Sequence, residues 1–214
     1  MTVIRAEGLS GRPPATTRWQ LGLVAVRLFH ERGFEETTVD EIAAAAGVSR
    51  RTFFRYFPTK SSVLWNDFEQ EVQRIRSLLA ATPHHVPIAA AVRAAVIQAN
   101  RYSAEDLPDL RARMTLIGTV PSLQASATLH YHAWAQAITD FVAQRTGLPA
   151  ESLYPLAVGR STLAVCQAAY EVWAATGDGA LVHYLDQALS AQFTGFDPPT
   201  NSNCDPGDRA ANST

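Results

Sequence analysis

The chain has 214 residues, of which 47% are hydrophobic and 18% charged, the composition of an ordinary globular protein of one or two domains. It lacks an unbroken apolar run of about 18 residues and a signal-peptide segment near its start, so we expect a cytoplasmic protein with no membrane partner. Its two cysteines, Cys166 and Cys204, show no zinc-ligand spacing. We therefore expect no metal and no cofactor.

The charge of the chain is polarised along its length. Residues 1–60 carry nine Lys and Arg against six Asp and Glu, a net charge of +3, whereas residues 61–214 carry nine against fourteen, a net charge of −5. Because neutralising DNA phosphates releases condensed counterions, a cationic first part suits a nucleic-acid partner.

The first fifteen residues contain glycines and prolines without periodicity, which predicts a flexible basic arm. Arg12 in this arm is a candidate for the DNA minor groove, and the alternative is a terminus that touches nothing. A helix is predicted over residues 17–32, ended by Gly33, with Phe34 packing back on Phe29. Its apolar face consists of Leu21, Val24, Ala25, Leu28 and Phe29.

The stretch from Thr38 to Lys60 predicts two short helices joined by a glycine turn. Thr38 and Glu41 form a capping box at the first helix, Gly47 supplies the turn, and Ser49 caps the second helix. Phe53 and Phe57 lie four residues apart on its buried side. This leaves a polar outer face, the layout of a DNA-reading helix-turn-helix, although a helical hairpin with a solvated arginine face has the same spacing. The outer face consists of Arg50, Arg51, Thr52 and Tyr56.

The order T-x-x-x-I-A-x-x-A-G-V-S-x-x-T-F-x-x-Y-F-x-x-K, with a preceding ERGFEETT and a GRPP arm, closely resembles the TetR family of one-component repressors. The resemblance implies a dimer whose recognition helix, Ser49 to Phe57, reads the major groove, with Thr38, Tyr56 and Lys60 on backbone phosphates. Arg51 stands where the family often has Gly and adds a guanine-reading side chain. Phe54 stands where it often has Tyr. The predicted DNA-binding residues are Arg12, Thr38, Ser49, Arg50, Arg51, Thr52, Tyr56 and Lys60.

Beyond Pro58 the pattern is helical almost throughout, and no strand-like alternation appears. One long helix is predicted from Thr59 to Ala81, followed by a loop. After Phe196 the tail lacks apolar periodicity. We predict an all-α protein: a flexible arm (1–15), a three-helix helix-turn-helix domain (16–58), an effector-binding and dimerisation bundle (59–195) and a disordered tail (196–214). Further helices are expected near 87–103, 105–117, 121–146, 151–176 and 179–194.

The last two predicted helices carry too little polar surface for outer helices of a monomer. They contain TLAVCQAAYEVWAA and ALVHYLDQALSAQF, and a second copy of the chain is the simplest partner for them. The alternative is a fully buried monomeric core. In the resembling family the last two long helices form a four-helix dimer interface.

The interior of the same bundle is the candidate effector site. Aromatic and apolar side chains on separate helices, with a few polar tips, suit an apolar pocket, although each of them singly suits core packing. Arg113 stands in an apolar stretch, where it either clamps an anionic ligand group or pairs with Glu105 or Asp109. The candidates are Tyr102, Arg113, Met114, Ile117, Trp134, Ile138, Phe141 and Tyr170.

The segment LRARMTLIGTVPSLQA, together with RRTFFRYFP, is similar to the subgroup of these repressors associated with mycofactocin gene clusters. That similarity implies a long acyl thioester, such as a fatty acyl-CoA, as effector. No motif of a hydrolase, nucleotide-binding enzyme or zinc protease is present, so we expect no enzyme. The predicted function is a ligand-responsive repressor that binds a palindromic DNA operator as a homodimer and is released by an apolar small molecule. The alternative is an effector-independent architectural DNA-binding protein.

Overall fold

The structure, a computed structural model, describes residues 17–177 and 179–195. Every regular element within these ranges is helical, as the sequence predicts for an all-α fold. None of these helices is long and apolar enough to cross a membrane. The α-helices are α1 (Arg18–Arg32), α2 (Val39–Ala45), α3 (Arg50–Tyr56), α4 (Phe68–Ala80), α5 (Ile88–Ala99), α6 (Leu107–Thr119), α7 (Pro121–Thr146), α8 (Leu153–Thr176) and α9 (Leu181–Phe193), with a 3₁₀ turn over Ser61–Trp65.

The predicted flexible arm, with Arg12, and the predicted tail, with Cys204, lie outside the described residues. The described chain divides into two compact units. The first comprises the residues up to Gln73 together with Tyr102–Ala133, and the second comprises Arg74–Arg101 together with the residues from Trp134 onward.

The first unit is built around an apolar core to which α1, α2, α3, the 3₁₀ turn, α6 and the start of α7 contribute. On α1, Leu21, Ala25 and Phe29 are at most 1% exposed. The rings of Phe29 and Phe34 meet edge to face with centroids 4.9 Å apart, which confirms the predicted contact after Gly33. Helix α1 thus braces both α2 and α6.

The predicted long helix from Thr59 to Ala81 is wrong at its start, because a 3₁₀ turn and a break precede α4. In an α-helix the carbonyl of Thr59 would accept from the backbone of Val63. Here the Ser62 hydroxyl donates to that carbonyl over 2.7 Å, and Val63 N donates to Lys60 O over 3.4 Å. Local Ser and Thr hydrogen bonds thus favour the tighter turn.

The second unit is dominated by the α8–α9 pair, against which α5 packs through α9. Trp173 of α8 and Leu185 of α9 are fully buried, and Arg93 of α5 forms an ion pair with Asp186 of α9. Gly159 of α8 lies directly against α7, since a Cβ there would stand 2.1 Å from Thr139 Oγ1 and 2.7 Å from the Ala135 carbonyl oxygen.

Candidate nucleic-acid interface

Helix α2 begins with the capping box that the sequence predicts. Glu41 N donates to Thr38 Oγ1 over 3.2 Å, and Thr38 N donates to a Glu41 carboxylate oxygen over 2.8 Å. The hydrogen bonds from the backbone and hydroxyl of Thr38, with a smaller contribution from the Arg32 guanidinium, lower the pKa of the Glu41 carboxyl. The start of α2 is therefore fixed by local bonds that favour the ionised carboxylate.

The turn between α2 and α3 is set by Gly47 and Ser49. Gly47 has φ +66°, a left-handed conformation that glycine adopts without a side-chain penalty. Val48 N donates to the Ala43 carbonyl over 2.9 Å, and Ser49 Oγ accepts from Thr52 N over 3.1 Å. The two helices are thus held in one mutual orientation by backbone geometry and a cap.

Helix α3 buries one side and exposes the other. Phe53 and Phe57 are fully buried, with ring centroids 5.6 Å apart, while Arg50, Arg51, Phe54 and Arg55 are exposed. A short helix anchored by two phenylalanines and presenting three arginines has the shape and charge required to enter a DNA major groove.

The three arginines of α3 differ in how they are held. Arg50 Nη1 lies 2.7 Å from Asp40 Oδ2 of α2, and its guanidinium lies 5.3 Å from the Phe54 ring centroid. Arg55 stacks on Tyr56, with its guanidinium 5.0 Å from the ring centroid. Within the described part of the chain, Arg51 makes no hydrogen bond or ion pair, so its guanidinium is available for a base edge.

The hydroxyl groups of Thr38 and Ser49 cap the starts of α2 and α3. Ser49 Oγ also lies 2.9 Å from Thr52 Oγ1. Tyr56 is half-buried, and its hydroxyl accepts from Arg55 Nη2 over 3.3 Å. Thr38 thus lies at the start of α2, Ser49 caps α3, and Thr52 and Tyr56 lie on α3. The contact of these four residues with DNA remains a prediction.

Lys60, a predicted phosphate contact, is held by backbone carbonyl groups in this structure. Its Nζ donates to the carbonyl oxygens of Phe34 over 2.6 Å, Glu35 over 3.4 Å and Thr37 over 3.0 Å. These carbonyls belong to the turn between α1 and α2, which is distant in sequence.

Two residues of this surface were missing from the predicted set. Arg55 is exposed on α3 one turn after Arg51, a spacing that the sequence alone could have supplied. Asp40, which holds Arg50, belongs to the preceding helix, and its role depends on how α2 packs against α3.

The predicted effector residues are divided between the two units. In the first unit Ile117 is buried, and Tyr102, Arg113 and Met114 are half-buried. Arg113 pairs with neither Glu105 nor Asp109 in the described structure, and its buried Nε has no hydrogen-bond partner there. In the second unit Trp134, Ile138 and Phe141 are buried along α7. The hydroxyl of Tyr170 donates to the Asn100 side-chain oxygen.

Two family models match this chain. Residues 23–64 match the model described as "Bacterial regulatory proteins, tetR family", and residues 86–197 match the model described as "MftR C-terminal domain". The chain therefore belongs to the TetR family of bacterial transcriptional regulators.

A curated relative extends this match along most of the chain. The mycofactocin biosynthesis transcriptional regulator MftR of Mycobacterium tuberculosis is 34% identical over 191 residues, which cover 89% of this chain and 96% of that protein. The resemblance to the family and to its mycofactocin-associated subgroup is thus confirmed.

Two solved structures share the fold. FadR of Thermus thermophilus, a TetR-family transcriptional repressor in complex with lauroyl-CoA, has a TM-score of 0.55 at 25% identity and covers 86% of this chain and 98% of its own. SmeT, the repressor of the Stenotrophomonas maltophilia efflux pump SmeDEF, in complex with triclosan, has a TM-score of 0.59 at 20% identity, covering 81% and 90%. Proteins of this kind are transcriptional regulators, not enzymes.

Proposed function

We propose that the protein is a ligand-responsive transcriptional repressor that binds a palindromic DNA operator as a homodimer and is released by an apolar effector. The proposal rests mainly on the way in which helix α3 is held and exposed. This helix is capped by Ser49, anchored by the fully buried Phe53 and Phe57, and presents an arginine, Arg51, that no described residue engages.

The predicted dimer is supported by one face of α8. Small and apolar residues recur on this helix at intervals of four or seven, so they share one side. All of them are exposed, and the exposed Arg160 and Glu171 lie on the same side. The exposed fraction of Leu153 is 84% and that of Val172 is 50%. Such an apolar face is stabilised when a second copy covers it. The residues of the face are Leu153, Ala157, Ala164, Ala168 and Val172.

An acyl-CoA effector is supported by the match to the MftR C-terminal domain and by the lauroyl-CoA complex of the Thermus FadR. In this chain Arg113 offers a buried Nε–H donor without a partner in the described structure. Because an unsatisfied buried donor is costly, an anionic or carbonyl group of an effector at this position would be stabilised.

The DNA-binding part of the proposal is tested by selecting duplexes from a randomised pool with the full-length protein. We expect enrichment of a palindrome whose half-sites are about one helical turn, 34 to 36 Å, apart. A pool that remains random after several rounds would instead favour an architectural protein that reads shape and charge.

A further inference from the structure

Lys60 is the single lysine of this chain, and its ammonium is enclosed by the turn between α1 and α2. Besides the three carbonyl oxygens of Phe34, Glu35 and Thr37, the Phe34 ring lies beneath it, with Nζ 4.2 Å from the ring centroid. An ammonium has three N–H donors. A phosphate oxygen would therefore compete with these carbonyls, of which the Glu35 oxygen at 3.4 Å is the most weakly held.

The turn that receives Lys60 is itself firmly held. The hydroxyl of Thr37 donates to the Gly33 carbonyl over 2.7 Å, and Thr37 is fully buried. Phe34 packs on Phe29 of α1, and Ser122 at the start of α7 donates to the Glu35 carboxylate over 2.6 Å. The carbonyls around the ammonium thus form a preorganised acceptor site.

Lys60 follows the recognition helix by only a few residues. Helix α3 ends at Tyr56 with Phe57 as its cap, and Phe57 is fully buried. A bond from Lys60 to the α1–α2 turn therefore fixes the end of α3 against a segment more than twenty residues earlier. This attachment adds to the buried Phe57 in restraining the end of α3.

We propose that Lys60 is a positioning residue, which fixes the recognition helix through the α1–α2 turn and keeps its carbonyl partners when DNA is bound. This proposal rests on the proposed function, namely that α3 reads DNA. It assigns to Lys60 an effect on sequence discrimination, whereas a phosphate contact would weaken binding to all duplexes alike.

The single lysine permits a direct spectroscopic test. In full-length protein labelled only in lysine with ¹³C and ¹⁵N, the side chain of Lys60 gives one set of NMR signals. We expect the methylene protons next to Nζ to be shifted upfield by the Phe34 ring, and to remain so when the duplex selected by the wild-type protein is added. Phe34→Leu should remove the shift. Loss of the shift on DNA binding would show that the ammonium leaves the turn for a phosphate and would overturn the proposal.

Binding measurements with Lys60→Met supply the functional readout. We expect the dissociation constant for the selected duplex to rise by about tenfold or more, as when a base contact is lost, with a smaller rise for a scrambled duplex. Phe34→Leu, which keeps the charge of Lys60, should reduce discrimination in the same direction. Helical circular dichroism at the assay temperature establishes that both variants are folded.

Salt dependence separates the two roles of Lys60. A lost phosphate contact lowers the slope of log K against log salt concentration by about 0.9, whereas a lost positioning contact leaves the slope unchanged. Equal weakening on both duplexes with a reduced slope, or unchanged affinity in folded Lys60→Met, would contradict the proposal. Failure of the wild-type protein to select any duplex would contradict the proposed function instead, since the ring-current shift of the free protein reports on Lys60 alone.

Discussion

In the proposed function, Arg51 is the residue on which we expect sequence reading by α3 chiefly to depend. Arg50 and Arg55 are engaged by Asp40 and Tyr56, whereas Arg51 is exposed and makes no bond within the described residues. We expect Arg51→Ala to lose about 1 to 3 kcal/mol of binding to the selected duplex and to relax preference at one base pair. Fluorescence anisotropy against single-base variants of the duplex measures both effects. Arg101→Ala, which removes an exposed arginine just after α5, is the control. Equal losses on selected and scrambled duplexes would show that Arg51 contacts only phosphate.

The partly buried ring of His130 makes the stability of the protein depend on pH. The ring stacks on Trp65 with centroids 4.2 Å apart and an interplanar angle of 16°, and Phe68 meets it edge to face. Desolvation by this burial lowers the pKa of His130 from its ordinary value of 6.5. On acidification the unfolded chain therefore binds the proton first. The neutral His130 ring therefore contributes to the free energy of unfolding at pH values above its ordinary pKa. This contribution is lost as the pH falls through about 6.5 toward the lowered pKa of the folded state.

We expect His130→Phe, which keeps a stacking ring without a proton site, to lessen the fall in melting temperature between about pH 7.5 and pH 5.5. Thermal unfolding followed by circular dichroism measures this difference. His132→Phe, two residues along on the exposed side of α7, is the matched control and should leave the pH dependence in place. The same pH dependence in His130→Phe and wild type would refute the assignment.

At the scale of elements, the α7–α8 contact is controlled by Gly159. The space for a Cβ there is taken by Thr139 Oγ1 and the Ala135 carbonyl, so Gly159→Ala has to push the two helices apart. We expect a loss of about 1 to 3 kcal/mol in the free energy of unfolding, measured by urea denaturation. Gly118→Ala of α6, where a Cβ would meet nothing within 4 Å, should instead stabilise by up to about 1 kcal/mol. Similar effects of the two substitutions would contradict the close packing.

The caps and breaks of the helices were predictable from sequence because they depend on neighbouring residues. The Thr38–Glu41 box, the Gly47 turn and the Ser49 cap all join groups within a few positions. The 3₁₀ turn before α4 was missed, since the apolar positions Leu64, Phe68 and Val72 keep the same spacing whether or not the helix is continuous. The residue types at turns therefore predicted the ends of the helices better than the apolar periodicity did.

The environment of the candidate site was less predictable. The carbonyl partners of Lys60 lie 23 to 26 residues earlier, and their positions depend on tertiary packing. The partner of Arg50 lies in a different helix for the same reason. The motif predicted which residues face outward. The packing of α1, α2 and α3 determines which of these residues form hydrogen bonds or ion pairs within the protein.

At the scale of the whole molecule, the proposed dimer depends on the apolar face of α8. In a two-fold dimer the same surface patch of both copies forms the interface. Ala168→Glu therefore brings one carboxylate from each copy into the same buried interface, which costs several kcal/mol. We expect this variant to sediment as a monomer in analytical ultracentrifugation. Ala94→Glu makes the same change at an exposed position of α5 and should remain dimeric. A dimeric Ala168→Glu would place the interface elsewhere.

In the proposed function an apolar effector releases this regulator from a specific operator. The most direct measurement is the anisotropy of the selected duplex, titrated with full-length protein in the presence of lauroyl-CoA or of free coenzyme A. We expect lauroyl-CoA to weaken binding by about 5- to 150-fold, the usual range of coupling between two sites, and coenzyme A alone to leave it unchanged. Binding that is tight and sequence-specific but unchanged by acyl-CoA of any chain length would contradict this expectation.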